Sequence, residues 1–289
     1  MQSNNTRVWF VTGASSGFGR AVTEAALADG DRVVAAVRRP ELVADLVAAQ
    51  PDRFAAVELD VTDQARIPAA VAAATNRFGR IDVLVNNAGQ GMVGAVEENT
   101  DAELRGLFDV NFFAPTELIR NVLPEMRARR SGAIVQMSSY CGQASYPGFS
   151  AYCASKFATE AITESLAAEA GPLGIRVLLV EPGAFRTNFF GDRIHQSGRI
   201  TDYATTVGPN RELVRDVGGQ PGDPAKAAQA IITALDAPDM PLRLALGMDS
   251  VQEIRTHLDA VRRDVDAWEA ISVATGFDSA DLGWGPTRG

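Results

Sequence analysis

Little in this sequence staples, anchors or charges the chain from outside its own core. Cysteine occurs twice in 289 residues, at Cys141 and Cys153, too few for a disulfide framework. Histidine also occurs twice, at His195 and His257, far apart and without partners at ligand spacing, so no metal site is expected. No apolar run reaches the length of about eighteen residues that a membrane span needs, so none is expected. The first seven residues lack the apolar core of a signal peptide, and these absences together predict a cytoplasmic protein. Basic residues are outnumbered 27 to 36, a net charge of −9, which argues against a general nucleic-acid binder. Internal repeats and low-complexity linkers are missing too. Apolar residues are plentiful: 46% of the chain is hydrophobic against 22% charged, over a length that suits one large domain.

The first half alternates strand and helix. The apolar run 8–12 reads as a buried parallel strand. It meets the turn Gly13-Ala14-Ser15-Ser16-Gly17-Phe18-Gly19, followed by a helical stretch 20–29 and a second strand 32–37. A glycine turn opening a helix suits a pyrophosphate, because free N–H groups and the helix dipole point at it and glycines allow close approach. The same turn also fits a mere tight connection. At the end of the second strand an acidic residue would accept the ribose 2′-OH of NAD. None is present: Val37 is followed by Arg38 and Arg39, which suit a 2′-phosphate and favour NADP over NAD. The two arginines also fit solvated charges at the start of the next helix, 41–49.

Further strands are expected at 54–59, ending in Asp60-Val61, and at 81–85, ending in Asn86-Asn87-Ala88-Gly89, with a helix at 64–78 between them. Strand ends on one carboxyl edge are where open α/β sheets bind ligands. Asp60 could meet an adenine amino group or close a capping turn. Thr100-Asp101-Ala102-Glu103 has the pattern of a capping box and predicts a helix running through Asn111 to about residue 129. Asn111 is a poor helix former with no evident local role. Ser139 follows a strand at 133–137, and a helix at 151–170 opens with Tyr152-Cys153-Ala154-Ser155-Lys156. Four residues apart on a helix, the phenol and the ammonium can point at one spot, where the cation lowers the phenol's pKa. Alone, this spacing fits two surface residues equally well.

The glycine turn, Asn86-Asn87-Ala88-Gly89, Asn111, Ser139 and Tyr152-x3-Lys156 stand in one order and spacing, and that set resembles the short-chain dehydrogenase/reductase family over residues 7–187, more loosely to 247. The resemblance implies an α/β fold: a Rossmann-like doubly wound parallel sheet of seven strands, order 3-2-1-4-5-6-7, in three α/β/α layers. It implies an NADP(H)-dependent alcohol/ketone oxidoreductase in which Tyr152 is the general acid/base and Ser139 orients the substrate oxygen. Lys156 would bind the nicotinamide ribose and lower the phenol's pKa, and Asn111 would hold the water behind it. Cofactor contacts would come from Gly13, Ser15, Ser16, Gly17, Phe18 and Gly19, from Arg38, and from Asp60 and Val61. Asn87, Ala88 and Gly89 would continue the contact, with Tyr152, Lys156, Pro182, Gly183 and Thr187 at the nicotinamide end. One departure weakens part of this: Ser16, not a basic residue, precedes Gly17, so Arg38 carries most of the case for NADP. The family is commonly a homodimer or homotetramer.

Residues 1–275 are expected to form one domain. Between 188 and 222 glycines and prolines interrupt every periodic pattern, as in a lid. Phe185, Phe189, Phe190, Ile194 and Tyr203 could wall an apolar pocket or pack that lid onto the core, and 140–149 is a second wall. A largely apolar carbonyl or alcohol substrate follows. Pro182-Gly183 follows a strand at 175–181. Asp223-Pro224 should start a helix at 225–235, a seventh strand is expected at 242–246, and Ser250-Val251-Gln252-Glu253 should cap a helix at 250–273. The polar tail 276–289 is expected to be flexible. A non-catalytic nucleotide-binding sensor or scaffold is the alternative; a methyltransferase would not need the Tyr152–Lys156 pair.

Overall fold

The computed structural model describes residues 6–191 and 193–277. Strand β1 (Val8–Thr12) is buried along its whole length, as expected of a parallel strand covered on both faces. Its side chains alternate between two cores: Trp9 and Val11 enter one, Phe10 the other. Burying each aromatic ring contributes about 1.5–3 kcal/mol, and the Trp9 indole N–H is satisfied by Asp31 Oδ2 at 2.8 Å.

Helix α1 (Gly17–Ala28) starts three residues earlier than the sequence pattern suggests, because the glycine turn itself supplies the first helical turn. The chain continues through β2 (Arg32–Val37), α2 (Ala44–Ala49), β3 (Phe54–Glu58), α3 (Ile67–Phe78) and β4 (Val83–Asn86). After a two-residue strand β5 (Met92–Val93) come α4 (Asp101–Phe108) and α5 (Ala114–Arg129). The expected capping box forms: Thr100 Oγ1 accepts from the Glu103 amide at 3.3 Å, and Glu103 accepts from the Thr100 amide at 2.8 Å. The single helix expected from there to residue 129 is interrupted by one wider, π-type turn, Asp109–Phe113, with Asn111 in its middle.

Strand β6 (Gly132–Met137), helix α6 (Ser150–Ala170) and β7 (Ile175–Pro182) follow, then β8 (His195–Gln196), α7 (Gly208–Leu213), α8 (Pro224–Asp236), β9 (Arg243–Leu246) and α9 (Met248–Val273). The main sheet is parallel and has the order β3-β2-β1-β4-β6-β7-β9. Helices α1 and α8 close one face over Val22, Ala26, Ile231 and Leu235. Helices α3, α5 and α6 close the other over Ile67, Leu118, Val122 and Leu166. Asp223 caps α8 as expected, accepting from the Ala225 amide at 2.9 Å. The capping box expected at 250–253 does not form. Helix α9 begins two residues earlier, Ser250 is buried, and its hydroxyl donates to the Glu181 carbonyl at 2.6 Å. The expected tail, 276–289, lies outside the described residues from 278 onward.

The segment 188–222 contains more regular structure than its punctuation suggested. Strand β8 pairs in parallel with β5, and α7 sets Arg211 under the segment. The Arg211 guanidinium donates to Glu98 at 2.7 Å and to the carbonyls of Ser197 and Gly198 at 3.2 and 2.7 Å. Burial works to raise the Glu98 carboxyl, but hydrogen bonds from the Ile200 and Ala95 amides and the arginine outweigh it and hold the pKa down. Both side chains are almost wholly buried, 4% and 2% exposed. Arg211→Ala leaves Glu98 charged and unpaired, which is expected to cost about 3–5 kcal/mol. Urea unfolding reads that loss, and the amides of 194–214 should exchange faster. An unchanged midpoint would mean the pair does not hold this segment down.

Candidate functional site

The carboxyl ends of β1 and β4 are tied together by side chains. Thr12 Oγ1 accepts from the amides of Asn87 and Ala88 at 2.9 and 3.0 Å. The Asn87 amide group donates back to the carbonyls of Thr12 and Gly13 at 2.8 and 3.3 Å. Two glycines of the turn have the left-handed backbone that favours glycine, Gly13 at φ +65° and Gly17 at φ +55°. At Gly19 the constraint is space: a Cβ would stand 2.4 Å from Asn87 Nδ2 and 2.5 Å from the Gly13 carbonyl. Helix α1 thus opens with uncapped amides beside a surface kept free of side chains; Ser16 makes no capping bond. That cradle fits a pyrophosphate.

Around it stand the other residues singled out from the sequence. Arg38, exposed just past β2, acts on Asp60 across the sheet edge. The Asp60 carboxyl is held below its usual pKa chiefly by the Thr62 hydroxyl, with Arg38 assisting. Asp60 Oδ1 accepts from Thr62 Oγ1 and N at 2.7 and 3.0 Å, so it does close a turn. Val61 is buried beside it. Thr187 lies over the first turn; a Cβ on Gly17 would come within 3.2 Å of it. Gly183 is held by the Leu246 carbonyl at 2.8 Å. Ser15 and Phe18 belong to the same turn, and the Phe18 ring packs 5.0 Å from Phe185.

At the next strand ends four side chains from separate elements converge. Ser139, extended at the end of β6, accepts from the Cys141 amide at 3.2 Å, and its hydroxyl reaches the Pro182 carbonyl at 3.4 Å. Tyr152 and Lys156 stand on one face of α6, with the Lys156 nitrogen 5.8 Å from the phenol ring centre. Lys156 Nζ donates to the Met137 carbonyl at 2.9 Å. Asn111 is fully engaged: Oδ1 accepts from the Gln90 amide at 2.9 Å, while Nδ2 donates to the Gln90 carbonyl and Ser155 Oγ, both at 3.0 Å. Gly89 lets them approach, for a Cβ there would stand 3.4 Å from Asn111 Oδ1 and 3.8 Å from Lys156 Nζ.

Burial sets the electrostatics. It pushes the Tyr152 phenol well above its ordinary pKa, with the Ser139 hydroxyl working the other way. It pulls Lys156 down to about 8, opposed by the charge of Glu160. Beneath them, contact with Cys141 pulls the Cys153 thiol down to about 7.

The aromatic residues divide. Phe189 faces Tyr152 with ring centres 5.9 Å apart, and Phe190 stacks edge-on behind it. Tyr140 and Tyr146 form the opposite wall, 5.5 Å apart, with Tyr146 OH donating to Glu253 of α9 at 2.8 Å. Phe185 and Ile194 instead pack into the cores, and Tyr203 turns to Glu97. Three supporting residues escaped the sequence reading. Asp249, in the first turn of α9, accepts from the Ala184 amide at 2.6 Å and fills the space beside Gly183. Ser155, inside the Tyr152–Lys156 motif, steadies Asn111. Arg193 reaches Ser16 Oγ at 3.4 Å from the 188–222 segment. Only Ser155 carried a signal, its position inside a motif.

A family model described as short chain dehydrogenase matches residues 7–197. Oxidoreductase BOA17 of Botryotinia fuckeliana is 35% identical over 272 residues, 93% of this chain and 99% of that protein. The crystal structure of a short-chain dehydrogenase from Streptomyces avermitilis superposes with a TM-score of 0.90 at 55% identity, covering 94% of this chain and 100% of that one. A short chain dehydrogenase from Burkholderia cenocepacia, in complex with NADP, gives 0.71 at 28% identity, covering 91% and 97%.

Space at Gly19 can be tested without reference to any ligand. Gly19→Ala should destabilise the protein by about 1–3 kcal/mol, since neither Asn87 nor the Gly13 carbonyl can move without loosening Thr12. Gly106→Ala, in α4 with nothing within 4 Å of the new methyl group, should stabilise by about 0.5–1 kcal/mol. Urea unfolding of both variants checks the pair of signs.

Proposed function

The chain belongs to the short-chain dehydrogenase family, and from that premise we propose that it interconverts a carbonyl and an alcohol on a largely apolar small molecule, with NADP(H) as cofactor. The observation that carries the proposal is the convergence of Ser139, Tyr152, Lys156 and Asn111 beside a glycine cradle on one sheet edge. A nicotinamide dinucleotide held along that edge supplies or accepts the hydride. The protein's part is to bind, orient and move a proton. Tyr152, protonated at neutral pH by burial, donates its phenolic proton to the substrate oxygen in reduction and takes one up in oxidation. Ser139 Oγ orients that oxygen. Lys156 brings the one cation of the cluster to the ribose and the phenol, and Asn111 fixes the Gln90 strand end and α6 around it. Phe189 and Tyr140 shield the reacting centre with apolar surface, which is why an apolar substrate is favoured.

Ser15, Ser16, Gly17 and Phe18 would meet the phosphates; Asp60, Val61, Asn87 and Ala88 would meet the adenosine side; Pro182, Gly183 and Thr187 would meet the nicotinamide end. Arg38 would pair with the 2′-phosphate, in keeping with the NADP of the Burkholderia cenocepacia relative. A homodimer or homotetramer belongs to the same reading, supported by Phe113 and Phe157, 47% and 40% exposed on α5 and α6. So does a cytoplasmic location, supported by two cysteines that are both free.

Nicotinamide absorbance with a panel of apolar ketones and alcohols tests the reaction; no turnover on any would count against it. Tyr152→Phe should keep cofactor affinity and lose at least about a hundredfold in turnover; a near wild-type rate would remove Tyr152 from the proton transfer. NADPH should exceed NADH at least about tenfold in kcat/KM, the worth of one charge-assisted contact. Arg38→Ala should shrink that ratio by weakening NADPH alone. If only Arg39→Ala does so, the phosphate contact lies one residue further on.

A further inference from the structure

Glu160 is a buried carboxylate that the proposed chemistry leaves unused. It follows Lys156 by one turn of α6, on the same face, and is 4% exposed. One oxygen, Oε2, takes the Arg243 guanidinium and, at 3.4 Å, the Gln143 amide. The other, Oε1, is buried without a hydrogen-bond partner among the described residues, as is the Ser138 hydroxyl. The two face one another across Gly142: a Cβ there would stand 2.7 Å from Ser138 Oγ and 3.0 Å from Glu160 Oε1. Ser138 immediately follows Met137, whose carbonyl holds Lys156 at 2.9 Å. Gly142 therefore lets a carboxylate stand against the strand end that receives the lysine.

The charges around it do not balance locally. Arg243 Nη1 also binds Glu181, at 2.8 Å, while its Nη2 goes to Glu164 at 2.8 Å on the surface. Glu160 and Glu181 side chains are 5% and 3% exposed, and they share one guanidinium. Two buried carboxylates against one arginine leave a negative charge, and uncompensated buried charge is strongly disfavoured. Lys156, itself buried, is the cation that completes the set. The titratable groups facing Lys156 are Tyr152 and Glu160 on α6 and Cys141 past β6; those facing Glu160 are Lys156, Glu164, Glu181 and Arg243.

We propose that Glu160 is a positioning residue for Lys156, the counter-charge that keeps its ammonium protonated in a buried site and couples it to the Arg243–Glu181 cluster. The inference rests on the function proposed above only for its consequence, not for its geometry. Burial draws Lys156 down to about 8 and drives Glu160 up to about 7. Glu160 is therefore neutral in mild acid and charged above neutrality, where Lys156 is nearest to losing its proton.

Lys156 and Lys226 are the chain's two lysines, so labelling lysine with 13C at Cε gives two resonances, with exposed Lys226 on α8 as internal reference. The wild-type Lys156 resonance should titrate near pH 8 with a second inflection near 7, where Glu160 ionises. In Glu160→Gln the inflection near 7 should vanish and the Lys156 midpoint should fall by at least about half a pH unit. Equal midpoints in the two proteins overturn the proposal. So does a wild-type curve without the lower inflection, which decides the matter even if the variant does not fold. NADPH affinity, followed by fluorescence, should match wild type below pH 7 and weaken progressively above it in the variant; a loss constant with pH would mark a merely structural role and overturn the coupling. A wild type that reduces no carbonyl would sink the proposed function and leave the lysine titration to judge this inference by itself.

Discussion

The interlock between Thr12 and Asn87 is the constraint on which the site depends. Parallel strands in the middle of a sheet end without a common turn, so their carboxyl ends are free to splay. Here one hydroxyl accepts from two amides of the β4 turn, and one carboxamide donates to two carbonyls of the β1 turn. Four hydrogen bonds join loops that are far apart in sequence, and the absent Cβ of Gly19 makes the approach possible. The same edge then sets the height of everything beside it: Gly89 leads from β4 to Asn111, Asn111 to Ser155, and Ser155 lies within the turn of α6 that carries Tyr152 and Lys156.

A second theme is buried charge placed at strand ends. Lys156, Glu160, Glu181, Glu98 and Arg211 are all removed from water, yet each has partners on a different element. Pairing across elements makes these groups poor sources of net stability, because desolvation offsets most of the attraction. Their value is geometric. Arg211 can satisfy Glu98 only with the 188–222 segment docked, and Arg243 can meet Glu160, Glu181 and Glu164 only with β9 in register beside β7.

Much of this was legible from the sequence for a physical reason: the features are local. Strand β1 is a continuous apolar run, the capping box at Thr100 is a four-residue pattern, and the glycine turn is contiguous. Family resemblance brought Asn111, Ser139, Tyr152 and Lys156 into one frame before any coordinate did. What could not be read depends on contacts between distant segments. Asp249 looks like an ordinary acidic residue of a helix start, and its role appears only when β7 ends against it. Ser250 had the better capping pattern, but its hydroxyl found the Glu181 carbonyl instead. Glu160 sits in a stretch of α6 that also carries Glu164, and nothing in the sequence separates the buried one from the exposed one. The short helix α7 was hidden because its glycine and proline are breakers inside a helix and starters at its first turn.

The wider turn at Asp109–Phe113 has a consequence for how this chain can change. A regular helix advances about 100° per residue, so a turn holding one extra residue sets the phase of all that follows. Helix α5 presents Leu118, Val122 and Met126 to the core in that phase. Deleting a single residue to restore ordinary winding would swing those three side chains about 100° around the axis and bring polar neighbours inward. The irregularity is therefore ratcheted: no one-residue deletion can remove it without unseating an entire helix, and Asn111 is carried at its centre by the same geometry that makes it irreversible.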